Sequence, residues 1–362
     1  MSLTPLLASL RSLFRPRRPR PNPPLPPPPP GPEPFGFTRR LVETHAWGDD
    51  DLFLVDVGAS GGIHSRWQVY RPLLRALGFE PLVHEVERLN STEPDAKVRY
   101  VAAFVGCQGY DQLFPPQLRD HRPGESIWKS PTYRRTSAAR ALTLLGIDYA
   151  REKYNAAVET VYSGQRVQLD EALAGEYGAV DFIKVDTDGH DYEVLLGAER
   201  LLREGRVLGL SVEVQLHGPA HDHANVFCNI DRFLRGLGFA LFDLEVYRYT
   251  RGVLPGRFQY TIPAQTTTGQ VIWGEALYLR DLAAADAARG WPPAKVLKLA
   301  SLMEVFGLPD CAAELLAHAR SQLPGRDVAG DLDLLAAAVA GRLVTFEQYN
   351  RDWEEYARQT LR

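Results

Sequence analysis

The chain has 362 residues, 45% of them hydrophobic and 24% charged, with a formal net charge of −4. That length fits one large domain with an accessory piece, or two domains, and that charge argues against a protein that takes nucleic acid through its overall field. No apolar stretch reaches the roughly 18–20 residues of a membrane span. Cys107, Cys228 and Cys311 are too scattered for a disulfide framework or a zinc site, and they suit a reducing cytoplasm.

Residues 1–40 differ in kind from the rest. "MSLTPLLASLRSLF" has short amphipathic character and is followed by "RPRRPRPNPPLPPPPPGPEP". Prolines fix φ and remove donors, so this stretch reads as an extended, unpacked tail. Its arginines, with no acid before Glu33, give a second reading: peripheral contact with an anionic membrane or a partner protein. From about residue 50, strands alternate with helices. "LFLVDVG" is a strand, "VYRPLLRALGFEP" runs from a helix into a strand ending near Glu80, and "VHEVERLN" is a helix. "VRYVAAFVG" (98–106), "DFIKVD" and "VLGLSVEVQL" (207–216) are further strands. "YEVLLGAERLL" reads as one helix, "NIDRFLRGLGF" as another, and "ALFDLEVYRYT" and "EALYLR" as a closing antiparallel pair. This alternation predicts an α/β domain with a largely parallel sheet over 41–282. Residues 107–165, punctuated by Pro115, Pro116, Pro123 and Pro131, read as an insertion, and 283–362 as a small α-helical extension.

"VDVGASGG" places Asp56, Gly58, Gly61 and Gly62 at the end of the first strand. In open parallel sheets ligands bind beyond the carboxyl ends of strands, where a glycine turn lets them approach the backbone. Glu80 follows at the distance expected of a carboxylate that accepts from a ribose diol. The dinucleotide fingerprint needs glycine where Ser60 and Ile63 stand, which disfavours a pyrophosphate cofactor and a nicotinamide-dependent oxidoreductase. Asp56, Gly58 and Gly62 suit S-adenosylmethionine, which has no phosphate to cradle. The alternative is a tight turn with no ligand.

"LFLVDVGASGG", "LGFEP", "VDFIKVDTDGHDYEVLLGA", "LSVEVQLHG", "NIDRFLRGLGFALFDL" and "GEALYLRD" occur in an order that resembles the FkbM-type methyltransferases over roughly residues 50–282. The resemblance is most specific at I-K-x-D-x-[EQD]-G-x-E, where this sequence has Asp191 in place of the usual glutamate. It implies a Rossmann-like, seven-stranded fold and S-adenosylmethionine-dependent O-methylation of hydroxyls on sugars, glycans or polyketide-like products. Carried over, Asp56, Gly58, Ser60 and Gly62 form the methionine-side turn, Glu80 holds the ribose, and Ala102 and Ala103 lie near the adenine.

An alcohol must lose its proton as the methyl group arrives, so positioning and a base are the expected contributions. Asp186, Asp188 and His190 are the candidate catalytic residues, with His190 as base and Asp186 acting directly or through a hydrogen bond to it. Asp186, Asp188 and Glu213 are alternatively hard oxygen ligands for Mg²⁺. Against both stands a structural reading in which Asp188 and Asp191 serve the start of the following helix. His217, of the group His217, His221 and His223, is placed near the acceptor. Tyr247 and Arg248, with Arg251 and Arg257, are expected to stack on and hydrogen-bond a small-molecule or glycan substrate. A non-catalytic scaffold on the same fold remains the competing class.

Overall fold

The computed structural model describes residues 35–48, 50–114, 132–137, 139, 162–254, 267–284 and 290–360. Strand β1 (Leu52–Val57) carries one polar residue, Asp56, and all its positions are buried, as in a central parallel strand covered on both faces. It pairs in parallel with β2 (Leu74–Glu80) and with β6 (Val180–Val185). Strand β3 (Val98–Ala102) adds beyond β2 and β7 (Gly209–Gln215) beyond β6, again in parallel. The last two strands, β8 (Ala240–Tyr249) and β9 (Gln270–Leu279), are antiparallel, with β9 between β7 and β8. The resulting seven-stranded order is β3-β2-β1-β6-β7-β9-β8. Strand order reverses between β1 and β6, which puts a ligand crevice at their carboxyl ends. A short parallel pair, β4 (Phe104–Val105) with β5 (Arg166–Val167), lies apart from the main sheet.

Two apolar layers cover the sheet. Tyr192, Val194, Leu195, Leu201, Ile230 and Leu234 pack with one set of strand residues. The other layer joins Phe37 and Leu41 to Val296, Leu299 and Leu302 and to Leu52, Leu54 and Phe182 of the strands. The helices Gly36–Glu43 and Pro293–Val305 therefore share a core with the sheet, although the sequence suggests a tail ending near 40 and an appended extension after 282. The reason is polar as well as apolar. Glu304 accepts from the amides of Phe37 (3.2 Å) and Thr38 (2.7 Å) and from the Thr38 hydroxyl (2.6 Å), satisfying donors that a helix N-terminus otherwise leaves orphaned. Lys295 and Lys298 reach Asp181 at 2.7 and 3.0 Å, and Asp181 also accepts from the Phe53 amide at 2.9 Å.

Two expected elements are broken. The helix read through "YEVLLGAERLL" is Asp191–Leu196 followed by Glu199–Glu204. It breaks where the Gly197 backbone meets Gly106: a Cβ at Gly197 would lie 2.1 Å from the Gly106 carbonyl oxygen. The strand read over 98–106 stops at Ala102, and its continuation pairs with β5 instead. Most of the 107–165 segment lies outside the described residues.

The larger compact unit spans Phe35–Ala336, and the described part of the other begins at Ala337. The latter holds one long helix, Phe346–Thr360. Among the described residues no helix is long and apolar enough to cross a membrane.

Candidate active site

The site begins where β1 and β6 end side by side. Gly58 has φ +81°, and a Cβ there would lie 1.8 Å from the Asp186 carbonyl oxygen. Only glycine permits that approach and that dihedral. Gly58→Ala is expected to cost at least about 2 kcal/mol and to open the crevice, read as a lowered urea midpoint together with lost cofactor binding. The amides of Gly58 and Ala59 both donate to the Phe79 carbonyl at the end of β2. Gly61 donates to Glu85 (2.9 Å) and Ile63 to the Tyr100 hydroxyl (3.2 Å), so the turn is tied to its neighbours. Gly62 packs on Leu89 and Tyr100, whereas Ser60 is exposed and a Cβ at Gly61 would meet nothing within 4 Å. Open space therefore lies over Ser60 and Gly61, with Gly62 holding the turn from behind.

Lys184 organises the charges. Its Nζ lies 3.3 Å from Asp56, 3.3 Å from Asp186 and 3.4 Å from the Gly58 carbonyl. Burial pushes Asp56 up to about 6 against the pull of Lys184. Burial alone would lower Lys184, but the carboxylates of Asp56 and Asp186 outweigh it and hold Lys184 above its usual value. A carboxylate raised above its unfolded value binds more protons in the native state, so its contribution to stability grows as pH falls through 6 toward 4. The gain in unfolding free energy between pH 7 and pH 5 should accordingly shrink in Asp56→Asn, by on the order of 1 kcal/mol, measured by urea denaturation at the two pH values.

Glu80 ends β2 nearly buried, and one of its carboxylate oxygens accepts from the Leu82 amide at 3.0 Å. That bond orients the carboxylate at the crevice. Ala103 is buried and donates its amide to the Glu80 carbonyl. The ring of Phe104 next to it stacks on Tyr162 at 6.0 Å, and the Arg166 guanidinium lies over the same Phe104 ring, 5.4 Å from its centroid. Tyr162 forms an isolated antiparallel bridge with Leu82, the residue whose amide holds the Glu80 carboxylate; burial and then the charge of Glu80 raise its phenol.

The acids after β6 divide into separate roles. Asp191 is fully buried and accepts from the Thr187 amide (2.8 Å), the Thr187 hydroxyl (2.9 Å) and the Asn225 amide (3.1 Å). Burial pushes it up to about 6. Asn225 in turn accepts from the Tyr192 amide, so Asp191 and Asn225 clamp the strand-to-helix turn. Asp188 occupies the left-handed region at φ +54°, followed by Gly189 at φ +113°. His190 Nδ1 lies 2.9 Å from Glu193, which also accepts from the Cys107 amide at 3.2 Å. Of the two roles that the sequence left open for Asp186, accepting a hydrogen bond from His190 falls to Glu193 instead, while Asp186 lies 3.3 Å from Lys184. His190 and Glu193 line a cavity of about 870 Å³ with Cys107, Gln108, Tyr110 and Arg166.

Mg²⁺ does not fit the donors that the sequence suggested for it. Asp186 faces an ammonium that already supplies positive charge. Among the described residues no three His, Cys, Asp or Glu side chains are gathered to hold an ion.

The residues that the sequence placed toward the acceptor are spread more widely. Glu213 pairs across the sheet with Glu275, and Glu275 with Glu245. Next along that edge Tyr247 stacks on Trp273 at 3.9 Å and 9°, its phenol pushed up to about 12 by burial and the adjacent glutamates. Arg248 is exposed beyond an irregularity between Tyr247 and Arg248. His217 is half-buried, and burial lowers its imidazole. His221 and His223 pack with Phe114 in a neighbouring loop, where the Tyr110 hydroxyl donates to the His223 carbonyl. Arg257 lies outside the described residues.

Residues 56–241 match the methyltransferase FkbM domain family, just over half of the chain. The chain belongs to the FkbM methyltransferase family. The match concerns methyl transfer and lends nothing to the nicotinamide alternative. No curated protein matches the chain. Solved structures similar to it include a putative S-adenosylmethionine-dependent methyltransferase from Listeria monocytogenes, 7% identical with a TM-score of 0.32, covering 67% of this chain and 98% of that one. Another is the magnesium protoporphyrin IX methyltransferase of Synechocystis with bound S-adenosylmethionine, 12% identical with a TM-score of 0.27, covering 67% and 80%.

Within this FkbM domain, the sequence-based list of site residues lacks Lys184, Glu193 and Asn225. A lysine inside an otherwise apolar strand was the available signal for Lys184. Glu193 and Asn225 carry no motif of their own. Their roles arise only from where the broken helix and the loop before Phe227–Gly236 place them.

Proposed function

We propose that this FkbM-family protein is an S-adenosylmethionine-dependent O-methyltransferase acting on a hydroxyl of a sugar, glycoconjugate or related natural product. The observation that carries the reading is the His190–Glu193 pair facing a cavity, on a domain whose glycine turn and Glu80 lie at the ends of neighbouring strands of one sheet. The residues fit the cofactor by the chemistry of their donors. Ser60 and Gly61 leave open backbone, and Glu80 is a pre-oriented acceptor for a diol. S-adenosylmethionine, when bound, supplies an electrophilic methyl group.

The chain's own part is positioning and proton removal. A carboxylate on Nδ1 fixes the imidazole tautomer and leaves Nε2 of His190 as the accepting nitrogen. Glu193 also stabilises the positive charge that His190 acquires once it has taken the acceptor's hydroxyl proton. Asp186 is the less available base, since its carboxylate is engaged by the ammonium of Lys184 at 3.3 Å. Tyr247 with Trp273 offers a flat apolar face of the kind that sugar rings pack on. The basic tail, outside the described residues, fits peripheral contact with an anionic surface or partner.

The test is transfer of label from methyl-tritiated S-adenosylmethionine to a panel of neutral sugars, glycolipids and polyketide alcohols. Base-stable incorporation into a hydroxyl supports the reading. Label found only on amines or carboxylates overturns it.

A further inference from the structure

At the β7–β9–β8 end of the sheet, acid and aromatic side chains form two rows on one face. Glu213, Glu275 and Glu245 stand directly opposite one another across the three strands, and Gln215, Trp273 and Tyr247 do so in the next row of that face. Val185 pairs with Val212, so Asp186 falls beside Glu213 and the acid row reaches the strand that borders the cofactor crevice. Like charges directly opposite across strands destabilise a sheet, and such violations concentrate at functional sites.

The nearby positive charge does not neutralise this row. Lys184 is shared between Asp56 and Asp186. Arg66, whose guanidinium lies over the Phe306 ring, lowers Glu275 less than burial, Asp186 and Glu245 raise it. Among the described residues Glu213, Glu275 and Glu245 make no ion pair. Glu213 is the decisive member. It is half-buried and has no hydrogen-bond donor among the described residues. Burial and the charges of Asp191, Asp186, Asp188 and Glu275 hold its carboxyl well above the usual range. A recessed carboxyl to which nothing donates is costly, and it gains most from an incoming cation.

The spacing narrows the cation. Strands lie about 5 Å apart, so the row extends about 15 Å from Asp186 to Glu245. A metal ion needs converging oxygens, and among the described residues no three such ligands are gathered. An extended organic cation suits the row better. The Tyr247–Trp273 stack, 3.9 Å between centroids, borders it with a flat face for a sugar ring. Resting on the O-methyltransferase reading above, we infer that the acceptor is an amino sugar or a glycoside of one. Its ring lies against Tyr247 and Trp273, and its protonated amine lies among Glu213, Glu275 and Glu245.

The test is calorimetric titration of the protein in the presence of S-adenosylhomocysteine. The probes are the methyl glycosides of glucosamine and galactosamine and of their N-acetyl counterparts. The free amines should bind at least about tenfold more tightly, as befits a charge-assisted contact. Glu213→Gln and Glu275→Gln should each cut that preference at least about threefold, and both should raise the urea midpoint because they relieve repulsion. Amine binding should release protons as Glu213 ionises against it. The heat should then depend on the buffer's ionisation enthalpy in the wild type and not in Glu213→Gln. Equal binding of amines and amides, binding of neither, or a preference that survives both substitutions overturns the inference. Label from methyl-tritiated S-adenosylmethionine separates this from failure of the underlying reading. Amine preference with no label on any hydroxyl leaves the cation site standing and counts against O-methylation. Label on hydroxyls of neutral sugars with no amine preference does the reverse.

Discussion

Asp181→Ala should lower the unfolding free energy by about 3–5 kcal/mol, the cost of removing one partner from a buried ion cluster. Asp181 is fully buried and joins three elements: the β1 amide of Phe53 and the ammonium groups of Lys295 and Lys298. Lys295 is already lowered by burial, an effect that Asp181 opposes. Without the carboxylate, two nearly buried ammonium groups face each other and the Phe53 amide loses its acceptor. The loss should exceed that of a double variant, Asp181→Leu with Lys295→Met, which removes charge of both signs together. Urea denaturation of both proteins checks this. A loss under about 1 kcal/mol for Asp181→Ala would mean that the helices after residue 292 are not anchored to the sheet by charge.

The second large effect concerns chemistry. His190→Ala should reduce kcat by about 10²- to 10⁴-fold, the range for a positioned general base, with S-adenosylmethionine binding nearly unchanged. Glu193→Gln should give a smaller loss in kcat, again with S-adenosylmethionine binding nearly unchanged, because the glutamine cannot offset the positive charge that the imidazole acquires. Asp186→Asn separates the two candidate bases. If it lowers kcat more than His190→Ala does, with binding intact, the base is Asp186 and His190 has a positioning role.

Much of this was legible in the sequence because it depends on local pattern. The apolar runs of β1 and β6, the turn at Gly58, the carboxylate at Glu80 and the antiparallel final pair all carry short-range signatures, and the structure puts them on one sheet. What the sequence withheld depends on contacts made from afar. The helix read through 192–202 keeps its apolar period across Gly197, and nothing local reveals that Gly106 approaches there. Pro293–Val305 reads as an appendage by its position beyond the last strand. Its lysines face an aspartate more than a hundred residues away. The acids of "DTDGHD" look interchangeable in sequence. Only their partners separate them: Lys184 for Asp186, Thr187 and Asn225 for Asp191, and Glu193 for the histidine between.

The most direct measurement is calorimetric titration of the wild type and Glu80→Ala with S-adenosylmethionine and S-adenosylhomocysteine. Saturable binding of both ligands by the wild type, lost or weakened at least about tenfold in Glu80→Ala as befits a charge-assisted bond to a diol, is the expected result. Absence of binding to the wild type, or equal binding by the two proteins, would contradict the assignment of this sheet edge as the cofactor site.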